Sequence, residues 1–189
     1  MTRRLGWVVA ALAAAVLGGC GDDDPPVGCD VCPPQPTEYP DRSSPQNVLE
    51  DLVLSYQNRD STEYKALYDT SYVGTSTNLN DPPVSQVSTF RFSDEVSHIA
   101  ALAKSPTIVS VSLDLGARSS WTRLPSDDVT HPDWAQIQLP TVHLSLIDGP
   151  SAYEVHSSNP MTFRFTPRVD SSSPTDTLWR IVRWDEIGP

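Results

Sequence analysis

The sequence predicts an α+β domain in which three helices, all placed before residue 105, pack on a curved, mostly antiparallel sheet of four long strands with short ones beside them. Three observations carry this. Apolar residues recur at helical spacing in segments 45–59, 61–72 and 93–104, and beyond residue 107 they alternate with the two-residue period of strands. The closing stretch TLWRIVRWDEI, Thr177–Ile187, alternates Trp179, Ile181 and Arg183 with Leu178, Arg180, Val182 and Trp184, which is too apolar for a tail and reads as the last strand of the sheet.

Each element has its own signal. Ser44 and Pro45 supply an N-cap and a first-turn proline, after which Val48, Leu49, Leu52, Val53 and Tyr56 form one helical face. After the break at Arg59-Asp60-Ser61, the residues Tyr64, Leu67 and Tyr68 predict a second, shorter helix ending near Tyr72. The polar segment 74–88 carries the turn Asn80-Asp81-Pro82-Pro83, with a short strand on each side. Ser93, Asp94 and Glu95 then open a third helix, acids at its positive end, with Val96, Ile99, Ala100 and Ala103 inward and His98 off that stripe.

In the strand region, Val109, Val111, Leu113 and Leu115 are read as inward. A loop over 117–133 holds Trp121, Asp127, Asp128 and His131. Segment 134–147 is one long strand whose alternation changes phase at Pro140, predicting a bulge or bend there. It continues inward with Val142, Leu144 and Leu146, and after a turn at Asp148-Gly149-Pro150 the chain returns with Tyr153, Val155, Met161, Phe163 and Phe165 in one parity. On the last strand, Leu178, Val182 and Trp184 share the opposite parity, so an apolar outer face is expected there. Its cover would be either the 117–133 loop, folding back with Trp121, or a second copy of the domain in a homodimer.

Ahead of this domain, which spans 46–189, lies an address. Arg3 and Arg4 precede an apolar run of thirteen residues, 5–17, short of the roughly twenty that a spanning helix needs. Leu17-Gly18-Gly19-Cys20 resembles a bacterial lipobox. That resemblance implies a signal peptide over 1–19, acylation of Cys20 and a membrane partner reached through lipid. Gly21, where an Asp would resemble an inner-membrane retention signal, implies the outer membrane. Residues 20–45 are a proline-rich spacer, able to hold the domain up to roughly 75 Å from the bilayer at about 3.1 Å per residue. Cys29 and Cys32 lie within it. Prolines follow and no strand precedes them, so the thioredoxin-like context is missing, and a local disulfide or two idle thiols is the expectation.

The order helix, helix, polar segment, helix, four strands resembles the nuclear transport factor 2-like, or cystatin-like cone, superfamily. The closing WRIVRW is similar to the last strand of such domains, and Glu50 to Tyr72 to their paired first helices. The resemblance implies a cone-shaped pocket, used in some members by isomerases, cyclases and dehydratases and in others for binding or assembly. Tyr64, Tyr68, Tyr153, Phe163 and Trp179 are the pocket-lining candidates. The family's enzymes place an Asp or His inside the cone, whereas here the inward parities carry neither. Asp114, His143 and His156 fall on the opposite face, and His143 with Asp114 becomes a base and its partner only if the parity slips.

Other chemistry is thinner. No phosphate-cradling glycine motif or nucleophile elbow appears, the four histidines lack metal spacing in the chain, and no cofactor or metal is expected. Without the signal peptide the chain has eleven basic against twenty-four acidic residues, a balance hostile to nucleic acid. The sequence reading is therefore an envelope lipoprotein with a non-catalytic domain for a small apolar ligand or peptide. An interaction module and a small lyase or isomerase are the alternatives. Cys20→Ala should release the protein from membranes that survive a high-salt wash, as seen by fractionation, because several acyl chains on one cysteine hold a protein effectively permanently.

Overall fold

The computed structural model describes residues 37–78, 86–157, 159–173 and 175–187. The signal segment, Cys20, Cys29, Cys32 and the spacer to residue 36 lie outside the described residues, as do the Asn80 to Pro83 turn and Pro174. Helix α1, Pro45–Gln57, starts where Ser44 Oγ accepts from the Asn47 N–H, and it buries Val48, Leu49, Leu52 and Tyr56. Helix α2, Ser61–Leu67, is capped by the Asp60 carboxylate, which accepts from the N–H groups of Thr62 and Glu63 at 2.9 and 3.0 Å. It stops at Leu67, and the helix expected to reach Tyr72 is instead followed by strand β1, Tyr68–Asn78. A spacing of four residues keeps Tyr68 and Tyr72 on one face at either period, so the pattern does not tell helix from strand here.

Strand β2, Gln86–Arg91, returns on β1 and leads into helix α3, Phe92–Lys104. The helix opens with the Arg91 N–H on the Asp94 carboxylate at 2.8 Å. Its buried face is Glu95, Ile99 and Leu102, which keeps Ile99 of the expected stripe but leaves Val96, Ala100 and Ala103 only half-buried, so a carboxylate enters the core.

The strands that follow are β3 (Ile108–Asp114), β4 (Thr122–Leu124), β5 (Ala135–Leu139), β6 (His143–Asp148), β7 (Ser151–His156), β8 (Met161–Val169) and β9 (Thr177–Ile187). Among the described residues they form a six-stranded sheet, ordered β2-β1-β9-β8-β5-β4, and a three-stranded sheet, ordered β3-β6-β7. Pairing is antiparallel throughout except between β1 and β9. At Pro140 the chain leaves the large sheet and enters the small one as β6, and after β7 it re-enters the large sheet as β8. The two long strands of the sequence reading are thus each divided, and the division curves the layer around the helices. The fold class is the expected one, three helices on a curved, mostly antiparallel sheet.

Bulges reassign several faces. The β3–β6 register shifts between Ile108 and Ser110, burying Ile108 and turning Val109 out to 71% exposure. Tyr153 and Val155, expected inside, are both 56% exposed, because β7 is an edge strand with a neighbour on one side only. In β9 the register with β8 jumps from Phe165↔Ile181 to Arg164↔Arg183, which leaves Val182 as an extra residue. Beyond it the faces exchange. Trp184 therefore points inward and stacks on Phe163 at 5.4 Å, and it does not share a face with Leu178 and Val182.

The outer side near the bulge is covered from the 117–133 loop, one of the two expected covers, but through Asp127 and His131 rather than Trp121. Asp127 grips Arg164 through two hydrogen bonds of 2.9 and 2.8 Å, and Arg164 also pairs with Asp185. Trp134 lies between the stacked His131 ring at 4.2 Å and the Arg183 guanidinium at 5.4 Å. Trp121 goes elsewhere, its indole N–H donating to the Leu115 carbonyl at 2.8 Å. Residues that the sequence assigns to the spacer also engage the fold: Tyr39 donates to Asp60 at 3.0 Å, and the Arg42 carbonyl accepts from the Trp179 N–H at 2.8 Å. Among the described residues no helix is long and apolar enough to cross a membrane.

Asp51, on α1, is fully buried, and among the described residues neither of its oxygens has a hydrogen-bond partner within 3.5 Å. Burial first, then the neighbouring Glu63 carboxyl, push its pKa up to about 8, against the smaller opposing pull of Arg42. A carboxyl whose folded value lies above its unfolded value of about 3.9 contributes stability that is fully present below pH ~4 and lost as pH rises through the folded value. Asp51→Asn removes that loss. Its melting temperature relative to the wild type should rise by roughly 4 °C or more between pH 5 and pH 8. A difference that stays constant with pH would show that Asp51 does not titrate in that window.

Candidate functional site

A cavity of about 640 Å³ opens between α3, β1, β2 and β9. Its wall is assembled from every layer: Tyr56 of α1, Gly74 to Ser76 of β1, Phe90 of β2, Asp94, Glu95 and His98 of α3, Leu144 of β6, and Trp184 and Glu186 of β9. Tyr56, Leu144, Trp184 and Glu186 also line a smaller apolar cavity of about 110 Å³, which is closed by Met161 and Phe163. Both cavities depend on the β9 bulge, since without it Trp184 and Glu186 would face the other way.

At the inner end of the wall lies a chain of hydroxyls around one carboxylate. Glu95 is 7% exposed, and its oxygens accept from Tyr64 at 2.7 Å and from Tyr72 at 3.1 Å. The Tyr64 and Tyr68 hydroxyls are 2.9 Å apart, and Tyr56 stands 3.5 Å from Tyr64 and 3.3 Å from His98 Nε2. The rings pack as well: centroid distances are 5.1 Å for Tyr56–Tyr64 and 4.9 Å for both Tyr64–Tyr68 and Tyr68–Tyr72. Burial is the main cause that drives all four tyrosines well above their ordinary value, and the Glu95 charge adds to it. The hydroxyls therefore remain protonated donors. Glu95 also sits in the first turn of α3, where the helix dipole favours an anion.

The sequence-predicted residues divide. Tyr64 and Tyr68 are fully buried in this cluster behind the cavity, and Phe163 lines the smaller cavity. Tyr153 stands exposed on β7, and Trp179 packs on the core where β9 meets Arg42. His143 and Asp114 are register partners on the side of β6 and β3 opposite Leu144 and Leu113. They lie outside the cavity. Strand pairing also brings His156 beside His143, a neighbourhood that chain spacing did not reveal. Sequence reasoning missed Glu95, His98 and Glu186 as cavity residues and placed Trp184 on the outer face. One signal was available, since Glu95, Ile99 and Leu102 recur at helical spacing and so put an acid in an apolar stripe.

No family model matches the chain, and no curated protein matches it. Solved structures do. A structure of naphthalene 1,2-dioxygenase with indole bound in its active site aligns at TM-score 0.51 and 7% identity, over 75% of this chain and 75% of that one. A nuclear transport factor 2-like superfamily protein from Salmonella enterica serovar Typhimurium aligns at TM-score 0.47 and 14% identity, over 76% and 87%. A nuclear transport factor 2-like protein with a cystatin-like fold from Novosphingobium aromaticivorans aligns at 0.43 and 13%, over 78% and 80%. At 7% identity the likeness to the dioxygenase structure is one of fold alone.

Gly74 explains how the tyrosine cluster fits against β1. A Cβ at this position would lie 2.2 Å from the Tyr72 hydroxyl and 3.0 Å from its ring carbon, so Gly74 leaves the room in which Tyr72 reaches Glu95. Gly74→Ala should destabilise the domain by about 1–3 kcal/mol in urea unfolding, the usual cost of forcing an extra carbon into a packed site. Combined with Tyr72→Phe, it should cost much less than it does alone, because the clashing oxygen is gone. Additive losses would show that the contact does not set the cost.

Proposed function

We propose that this chain is an envelope lipoprotein, anchored through lipid on Cys20, whose cone binds a small molecule with an apolar or aromatic body and an amine or other strong hydrogen-bond donor at one end. The composition of the cavity wall supports this reading above all. Trp184, Phe90, Leu144 and Tyr56 supply apolar surface, Asp94, Glu95 and Glu186 supply three carboxyl groups, and among the described residues no lysine or arginine lines the cavity. Its volume of about 640 Å³ falls within the range typical of small-molecule sites. A cation beside Trp184 gains from the ring face as well as from the acids. The net charge of the whole chain, −11, favours the same sign of ligand.

A second reading, a lyase or isomerase, is favoured by one observation. His98 Nε2, Tyr56, Tyr64 and Glu95 form a continuous series of polar contacts from the cavity wall to the core, at 3.3, 3.5 and 2.7 Å. An imidazole at the wall with such a series behind it can take a proton from a bound molecule and be stabilised in doing so.

Matched probes test the binding reading. Titrated calorimetrically, phenethylamine should bind with a Kd on the order of 1 mM or tighter, 3-phenylpropionate at least tenfold more weakly, and Glu186→Gln should erase most of that difference. Equal binding of acid and amine overturns the charge argument. Exchange of carbon-bound ligand protons with D₂O, present in the wild type and lost in His98→Asn, would select the second reading.

A further inference from the structure

On the opposite side of β6 from the cavity wall, the three-stranded sheet carries a cluster of metal-ligating side chains. Register pairs Asp114 with His143 and His143 with His156, so these three stand in one row across β3, β6 and β7. Glu154 lies two residues before His156 and therefore on the same face of β7. The imidazoles of His143 and His156 stack at 3.9 Å with their planes 11° apart, and Glu154 Oε2 is 3.4 Å from His156 Nε2. One ligating atom from each of His143, Glu154 and His156 lies within 4.8 Å of the other two.

Two further features point to a ligand. His143 Nε2 is closed off from solvent and has no hydrogen-bond partner among the described residues, so the ring carries a buried nitrogen whose bonding capacity is unmet there. The other two donors are open, with side-chain exposures of 62% for His156 and 58% for Glu154, so an ion can arrive from solvent. A tetrahedral ion with bonds of about 2.0–2.1 Å needs donors roughly 3.3 Å apart. Rotation of exposed side chains covers the remaining gap, since directly opposed strand residues have Cβ atoms about 4.5–5.5 Å apart.

We propose that His143, Glu154 and His156 bind one divalent transition-metal ion of the zinc class, with a fourth position open to water and the Asp114 carboxylate next to His143. Two imidazoles and a single carboxylate suit zinc, copper or nickel. They do not suit calcium, which takes six to eight oxygens, or magnesium, which keeps most of its waters. The ion joins β6 to the edge strand β7. Occupancy therefore stabilises the hairpin by mass action, without touching the tyrosine cluster or the cavity.

The test uses the full-length, tag-free chain in detergent, stripped of metal with chelator. Zinc should bind at one ion per chain with a Kd on the order of micromolar, and raise the melting temperature, while magnesium and calcium at millimolar concentration should do neither. His156→Asn and Glu154→Gln should each weaken zinc binding at least tenfold and leave the melting temperature of the metal-free protein unchanged, because both side chains are exposed. Binding should persist when Cys29 and Cys32 are both serine, and phenethylamine binding should be the same in His156→Asn as in the wild type. No zinc binding tighter than about 100 µM, binding undiminished in His156→Asn, or binding lost with the two cysteines would each overturn the proposal.

Discussion

The buried carboxylate of Glu95 is the constraint on which the rest of the domain depends. Moved out of water without partners, such a charge costs several kcal/mol, so its position is tolerable only where donors are already waiting. Tyr64 brings a donor from α2 and Tyr72 brings one from β1, while Glu95 itself belongs to α3. Helix α3 is thereby held against the consecutive elements α2 and β1. Hydrogen bonds to a charged group are about twice as strong as neutral ones, and breaking one leaves the other partner unpaired in the core. The cluster thus specifies how α2, α3 and β1 meet more narrowly than apolar packing alone would.

The second constraint is geometric. One extra residue at Val182 exchanges the faces of β9. It sends Trp184 and Glu186 into the cavity and leaves Arg183 and Asp185 outside, where Arg183 covers Trp134 and Asp185 meets Arg164. A regular strand would have put the indole against the sheet's outer surface and removed both an aromatic wall and an acid from the cone. Site and bulge are therefore one feature.

This is also where legibility in the sequence stops. Helices α1 and α3, the break at Pro140 and the order of strands follow from local signals: a serine cap with a first-turn proline, acids at a helix start, and a phase change at a residue without an N–H. Face assignments along β3 and β9 did not follow, because a bulge is a property of two paired strands and only one of them is in view at a time. The helix expected through Tyr72 failed for a different reason, a spacing that fits both periods. His143 and His156 are separated by a hairpin, so their contact is likewise a fact of pairing rather than of spacing.

Strand alternation puts two different chemistries back to back on β6. Leu144 lines the cavity, while His143 and Ser145 face the other way. His143 meets His156 and Leu144 meets Val155, a residue that lines the smaller cavity. An ion bridging His143 and His156 fixes the spacing of the same two strands that carry Leu144 and Val155. An edge strand that would otherwise rest on its hydrogen bonds to a single neighbour thereby gains a second attachment.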